Sequence, residues 1–183
     1  MAEDRTKWVA LLRGINVGGK RKVAMAELVA LFEELGARET RTYLQSGNVV
    51  FRADAAVAGA LPAAVERACE SRFGFAVPAL LRSAGELQAV LTGNPFHRPG
   101  ADEKQLHVVF LTEEPEANAV AALDPNRSSP DAFAVRGREI YLRLPNGMAR
   151  TRLTNDYFDR ALATTSTVRN WRTVQAVAAL VAA

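Results

Sequence analysis

The chain has one cysteine, Cys69, in 183 residues, so neither a disulfide framework nor a cysteine-built zinc site is open to it. Cys69 lies in an amphipathic segment, which makes it a buried thiol of a reducing compartment rather than a nucleophile. Histidine is almost as scarce. His97 and His107 are the only two, one in a loop and one at a strand start, and that placement does not make a metal pair. No metal ligands and no cofactor are therefore expected. No apolar run approaches the ~18 residues of a membrane span. The opening MAEDRTKW is charged where a signal peptide has an apolar core, so the expectation is a cytoplasmic protein with no membrane partner.

Charge is present but uneven. The net charge is only +3, yet residues 136–172 carry eight arginines against Glu139, Asp156 and Asp159. A basic face in the last quarter would favour phosphates or nucleic acid; a solvated arginine-rich surface explains the same composition.

The size suits one substantial domain or two small, closely packed ones. WVALLRG reads as a strand, and Met25, Leu28, Val29, Leu31, Phe32 and Leu35, stopped by Gly36, read as an amphipathic helix. TRTYLQ and NVVFRA flank Ser46-Gly47 at hairpin spacing. A helix with Leu61, Val65, Ala68, Cys69 and Phe73 on one face follows, then a strand near VPALLR. Residues 1–83 thus read β-α-β-β-α-β, the order of the split β-α-β, ferredoxin-like fold. Residues 84–183 read as a diverged α+β copy: a short helix at Leu87–Leu91, strand LHVVFL, helix EANAVAAL, strands FAVR and EIYLRL around Gly137, then two closing helices in place of a final strand. DPNRSSPD, residues 124–131, reads as the mobile loop. The fold class is α+β, two ferredoxin-like halves with the second ending in two helices.

LLRGINVGGKRKVAMAEL, residues 11–28, holds the most chemistry. From Gly14 it fits G-x-x-x-x-G-K, with Arg21 where a nucleotide-binding P-loop has the hydroxyl that holds magnesium. Without that hydroxyl, and with a largely antiparallel sheet, an NTPase is not expected. Glycines that turn backbone N–H groups toward an anion, with Arg13, Lys20, Arg21 and Lys22 around them, still suit a phosphate. A structural loop whose glycines only permit tight packing is the competing reading. Strand order places this loop beside the QSGN turn, gathering Arg13, Asn16, Gly18, Gly19, Lys20, Gln45, Ser46 and Asn48 at one sheet edge. None of these is a general acid or base of suitable pKa, an inventory for binding rather than catalysis.

LLRGINVGGK, RTYLQSGNVVF, NGMARTRLTNDYFDRAL and TVRNWRTV, taken together over residues 7–175, resemble the bacterial family of domain of unknown function 1697. The resemblance brings no reaction with it. It implies a two-part α/β protein with signature positions at Arg13, Gly14, Asn16, Gly18 and Gly19, then Gln45, Ser46, Gly47 and Asn48, and lastly Arg169, Asn170 and Trp171. Arg150, Arg152 and Asn155 belong to a looser block. TTSTVRNW also reads physically as threonine and serine caps opening a helix, with Arg169 in its first turn and Trp171 either stacking on a base or beginning a core stripe.

Three functions compete on this reading. The first is binding of an anionic small molecule or nucleotide at the glycine loop and hairpin, with Arg169 and Asn170 as further ligand-binding residues. The second is a nucleic-acid module using the basic C-terminal segment, for which strand GNVVFRA lacks the exposed aromatic pair. The third is a Ser46 nucleophile, and no G-x-S-x-G elbow surrounds that serine. A protein-interaction scaffold would use the same surfaces without catalysis, and the oligomeric state is open.

Overall fold

The computed structural model describes residues 6–183; the charged residues 1–5, most of the stretch read as lacking a signal core, lie outside them. The described chain is a mixed α+β protein with two four-stranded antiparallel sheets and six α-helices. It falls into two compact units, one running through Leu87 and including Val177–Ala183, the other Gln88–Ala176. No described helix is long and apolar enough to cross a membrane.

The first unit runs β1 (Thr6–Leu12), α1 (Met25–Glu34), β2 (Arg38–Tyr43), β3 (Asn48–Ala53), α2 (Ala55–Phe73) and β4 (Ala79–Ser83), with strand order β2-β3-β1-β4. β1 is central because residues 9–12 are apolar and buried, and it pairs antiparallel with both β3 and β4. α1 and α2 bury Leu28, Leu31, Phe32, Leu61, Val65 and Cys69 in one core with Val49 and Phe51 of β3. Burial pushes the Cys69 thiol up to about 11, as expected of a group whose anion would sit among hydrocarbon. α2 begins six residues before Leu61, where Asp54 accepts the Val57 N–H at 2.8 Å, and it stops at Gly74 in the left-handed conformation. Trp8, the aromatic on the first strand, is partly buried against this core.

The second unit runs β5 (Leu106–Leu111), α4 (Ala117–Ala121), β6 (Ala132–Arg136), β7 (Glu139–Arg143), α5 (Asn155–Leu162) and β8 (Ser166–Asn170). Its order is β6-β7-β5-β8, the same arrangement as the first. α3 (Ala84–Gly93) leads into this unit, and α6 (Trp171–Ala182) begins in it. The closing strand corrects the sequence reading, in which residues 164–170 open a helix. Ser166 to Asn170 pair antiparallel with β5, from Ser166 opposite Leu111 to Asn170 opposite His107. Thr167 and Val168 are β-branched and favour that pleated, half-buried surface. The second half does end in α5 and α6, with β8 between them.

Residues 124–131 are also not the loose loop that their composition suggests. The Ser128 hydroxyl donates to the Asp131 carboxylate at 2.7 Å and accepts the Arg152 N–H at 2.9 Å. Arg127 donates to the Arg152 carbonyl at 3.2 Å and stacks 3.9 Å above the Tyr157 ring. Partners more than 20 residues away hold this segment, and turn-forming residues do not announce them.

Candidate functional site

The loop between β1 and α1 and the turn between β2 and β3 meet at one edge of the first sheet. Leu12 N–H donates to the Gly47 carbonyl at 2.8 Å, and Arg13 N–H to the Pro78 carbonyl at 2.9 Å. Asn16 joins the two segments. Its amide nitrogen donates to the carbonyls of Gln45 at 2.8 Å and Val23 at 3.0 Å, while its amide oxygen accepts the Val23 N–H at 2.9 Å. With the Asn16 N–H bonded to the Arg21 carbonyl at 3.1 Å, this one residue closes the base of the loop across residues 16–23. Its φ of 53° is left-handed, a conformation asparagine tolerates better than most residues.

The turn is held from inside. Gly47 is buried with φ 81°, and a Cβ there would lie 2.8 Å from Leu12 Cβ and 3.0 Å from Ile15 Cδ1. Only glycine fits a backbone that adopts this φ against β1. Asn48 is fully buried, and its amide donates to the Tyr43 carbonyl at 2.9 Å and the Ser46 hydroxyl at 3.1 Å. Ser46 and Gln45 are themselves exposed.

At the tip the situation reverses. Lys20 N–H closes a tight turn onto the Val17 carbonyl at 3.1 Å. Gly18 and Gly19 are both exposed with positive φ, and nothing lies within 4 Å of where their Cβ atoms would be. Lys20, Arg21 and Lys22 are exposed around them, with the Arg21 guanidinium 5.6 Å from the Phe75 ring centre. No carboxylate occurs between residues 13 and 26, so the tip is cationic throughout. Val17 and Leu44, the most exposed large apolar residues among those described, sit in this loop and this turn.

The remaining two candidates, Arg169 and Asn170, lie in the second unit, and Arg169 is not where the sequence reading puts it. It sits on β8 rather than in a helical first turn, is only 8% exposed, and donates to the Thr167 hydroxyl and the Val168 carbonyl, both at 2.8 Å. Burial lowers its pKa to about 10. A guanidinium buried in this way needs such partners, and two of them lie on its own strand. Asn170 is exposed and caps α6, its side-chain oxygen accepting the Thr173 N–H at 2.9 Å. Trp171 is 1% exposed, so the core-stripe reading holds and base stacking does not.

Two concavities of the second unit escape the sequence reading. One, of about 270 Å³, is lined by Glu103, Lys104, His107, Asn170 and Arg172. The other, of about 600 Å³, is a wider groove along the loop from Pro95 to Asp102 and reaches Arg143. Of their residues only Asn170 is a signature position and only Arg172 shares its block; the others come together with them through the pairing of β5 with β8 and the loop before β5.

The family model described as Protein of unknown function (DUF1697) matches residues 5–141. A search of curated proteins gave no match. Among solved structures, the conserved bacterial protein SP0830 from Streptococcus pneumoniae is similar, with a TM-score of 0.73 and 24% sequence identity; the match covers 97% of this chain and 99% of that one. At that identity the likeness establishes the fold alone.

Proposed function

The chain belongs to the DUF1697 family, which brings no activity with it, and on that premise we propose that it binds a phosphate-bearing small molecule or nucleotide at the tip of the first unit's glycine loop. The observation that supports this reading is the contrast within the loop. Asn16, Gly47 and Asn48 spend their polar groups or their lack of a side chain on holding the edge together. Gly18, Gly19, Lys20 and Arg21 face solvent, and the space on the Cβ side of both glycines is open, which suits the approach of an oxyanion to glycine backbone. A loop tied at its base leaves fewer residues to order when its tip binds. Gln45 and Ser46 are exposed on the neighbouring turn; Arg13 supplies charge from the end of β1.

The same reading takes both units as ferredoxin-like split β-α-β folds, on the shared 2-3-1-4 strand order, in a protein of the bacterial cytoplasm. Nucleic acid is the alternative partner, through the basic segment at Arg150 and Arg152.

The test is competition titration of ADP, inorganic phosphate and single-stranded RNA at ~50 and ~200 mM salt. Contact with about six phosphates of a strand would lower affinity by roughly 10³ between those concentrations, whereas a cleft on one phosphate responds far less. ADP binding with a shallow salt response, lost in the double variant Lys20→Ala/Arg21→Ala, is the expected result. RNA binding with a steep salt slope that survives in this variant and weakens in Arg150→Ala/Arg152→Ala would replace the loop with the C-terminal segment.

A further inference from the structure

The smaller concavity of the second unit has the makings of a second, independent site. It lies at the end of the sheet where β5 begins and β8 ends. His107 and Asn170 are direct cross-strand partners there, so their side chains emerge on one face of the sheet as neighbours. The 3-10 turn Glu103–Gln105 brings Lys104 to its rim, and the first turn of α6 brings Arg172.

His107 is the informative residue. It is only 8% exposed, and its Nδ1 lies 3.4 Å from the Gln105 carbonyl oxygen. Its Nε2 has no partner among the described residues, although the side chain lines the cavity. A ring nitrogen that the cavity leaves open is a group that water or a ligand can bond. The side chains of Lys104 and Arg172 make no ion pair among the described residues, so both cations are available at the rim. Glu103, the one carboxylate of the lining, is already engaged: its Oε1 takes His97 Nε2 at 2.8 Å and the Gln175 amide at 3.2 Å. Asn170 turns its side-chain oxygen to the Thr173 N–H, which leaves its amide N–H groups for a guest. The positive end of α6 adds to the field.

We propose that this cavity binds a small oxyanion, a phosphate or a carboxylate on a compact molecule, held by Lys104 and Arg172 with His107 Nε2 and the Asn170 amide at its floor. The volume of about 270 Å³ admits a guest of metabolite size. Recognition rests on two charges at the rim and two directional polar groups below. The site shares no residue with the glycine loop.

The chain's two histidines make the test direct, because they give only four imidazole nitrogen signals in ¹⁵N spectra of the protein. Inorganic phosphate is the probe. The expected result is a saturable shift of the His107 Nε2 signal, with the apparent Kd weakened at least tenfold in Lys104→Gln/Arg172→Gln and unchanged in Lys20→Ala/Arg21→Ala. Both altered rim residues are exposed, so the variant should fold, and unchanged backbone spectra would verify that. No saturable shift of His107 in the native protein, or one that Lys104→Gln/Arg172→Gln leaves intact, overturns the proposal. A shift lost only in Lys20→Ala/Arg21→Ala also overturns it, by placing the phosphate at the loop.

Discussion

The two sheets share one strand order and differ in what they hang on it. In the first unit twelve residues separate β1 from α1, and in the second five separate β5 from α4. The hairpins differ as well: four residues, including buried Gly47, connect β2 to β3, while two, Gly137 and Arg138, connect β6 to β7. The elaborated end of the first sheet is where β1 finishes; the cavity of the second lies where β5 starts. Topology therefore fixes which segments can become neighbours, while the length and chemistry of the connections decide which end of a sheet is built up. A motif search finds the first kind of site, since loop and turn are each continuous in sequence. Of the second it finds Asn170 alone, because the lining is shared between residues 103–107 and 170–172, which only the β5–β8 pairing brings together.

The sharpest way to break this comparison is to place the same substitution in both hairpins. Gly47→Ala should destabilise the protein by about 3 kcal/mol or more, from left-handed strain of ~1–2 kcal/mol and overpacking of ~1–3 kcal/mol against Leu12 and Ile15. Gly137→Ala, with φ 56° and open space around it, should show only the strain. Urea denaturation of the two variants measures the difference; equal losses would mean that the β2–β3 turn is no more constrained than its counterpart.

Next in size is Asn16→Ala. It removes three hydrogen bonds that close the loop and leaves the buried Val23 N–H unsatisfied, at about 2 kcal/mol. Asn170→Ala in the second unit removes a single helix cap, worth ~1 kcal/mol. If Asn16→Ala proved the milder of the two, the loop base would not be the fastening that its geometry indicates.

A smaller effect should separate the units by pH. Burial lowers the pKa of His107 below its ordinary 6.5, outweighing the Gln105 carbonyl, which raises it. The folded state thus binds a proton less readily than the unfolded one. The stability from neutral His107 is present above about pH 6.5 and is lost as pH falls through the folded pKa. Thermal melts between pH 7.5 and 5 should show a decline that His107→Gln reduces, and a decline unchanged by that substitution would assign it to other groups.

Most of the first unit was legible because its signals are local. Four buried apolar residues in a row mark β1, the Met25 to Leu35 stripe marks α1, and Ser46-Gly47 marks the hairpin. β8 was obscured for two reasons. A five-residue strand offers little alternation to count, and threonine with serine also serves as a helix cap. Arg169 adds to the confusion, because a charged residue on a strand is expected to be exposed and this one is buried. Thr167-Val168 was the available signal. At the site, sequence order brought loop and turn together, but not the roles: Asn16 and Asn48 look like ligands in a list of donors and are fasteners in the fold. That assignment needed the distances from Asn16 to Gln45 and from Asn48 to Tyr43.

The central claim is that the tip of the glycine loop, and not its base, meets an anion. Backbone amide shifts of the native protein during titration with pyrophosphate test it directly. The account predicts saturable shifts concentrated at Gly18, Gly19 and Lys20, small changes at Asn16 and Asn48, and loss of the response in Lys20→Ala/Arg21→Ala. Unmoved amides at Gly18 and Gly19 under saturating pyrophosphate, or shifts that persist in that variant, would contradict it.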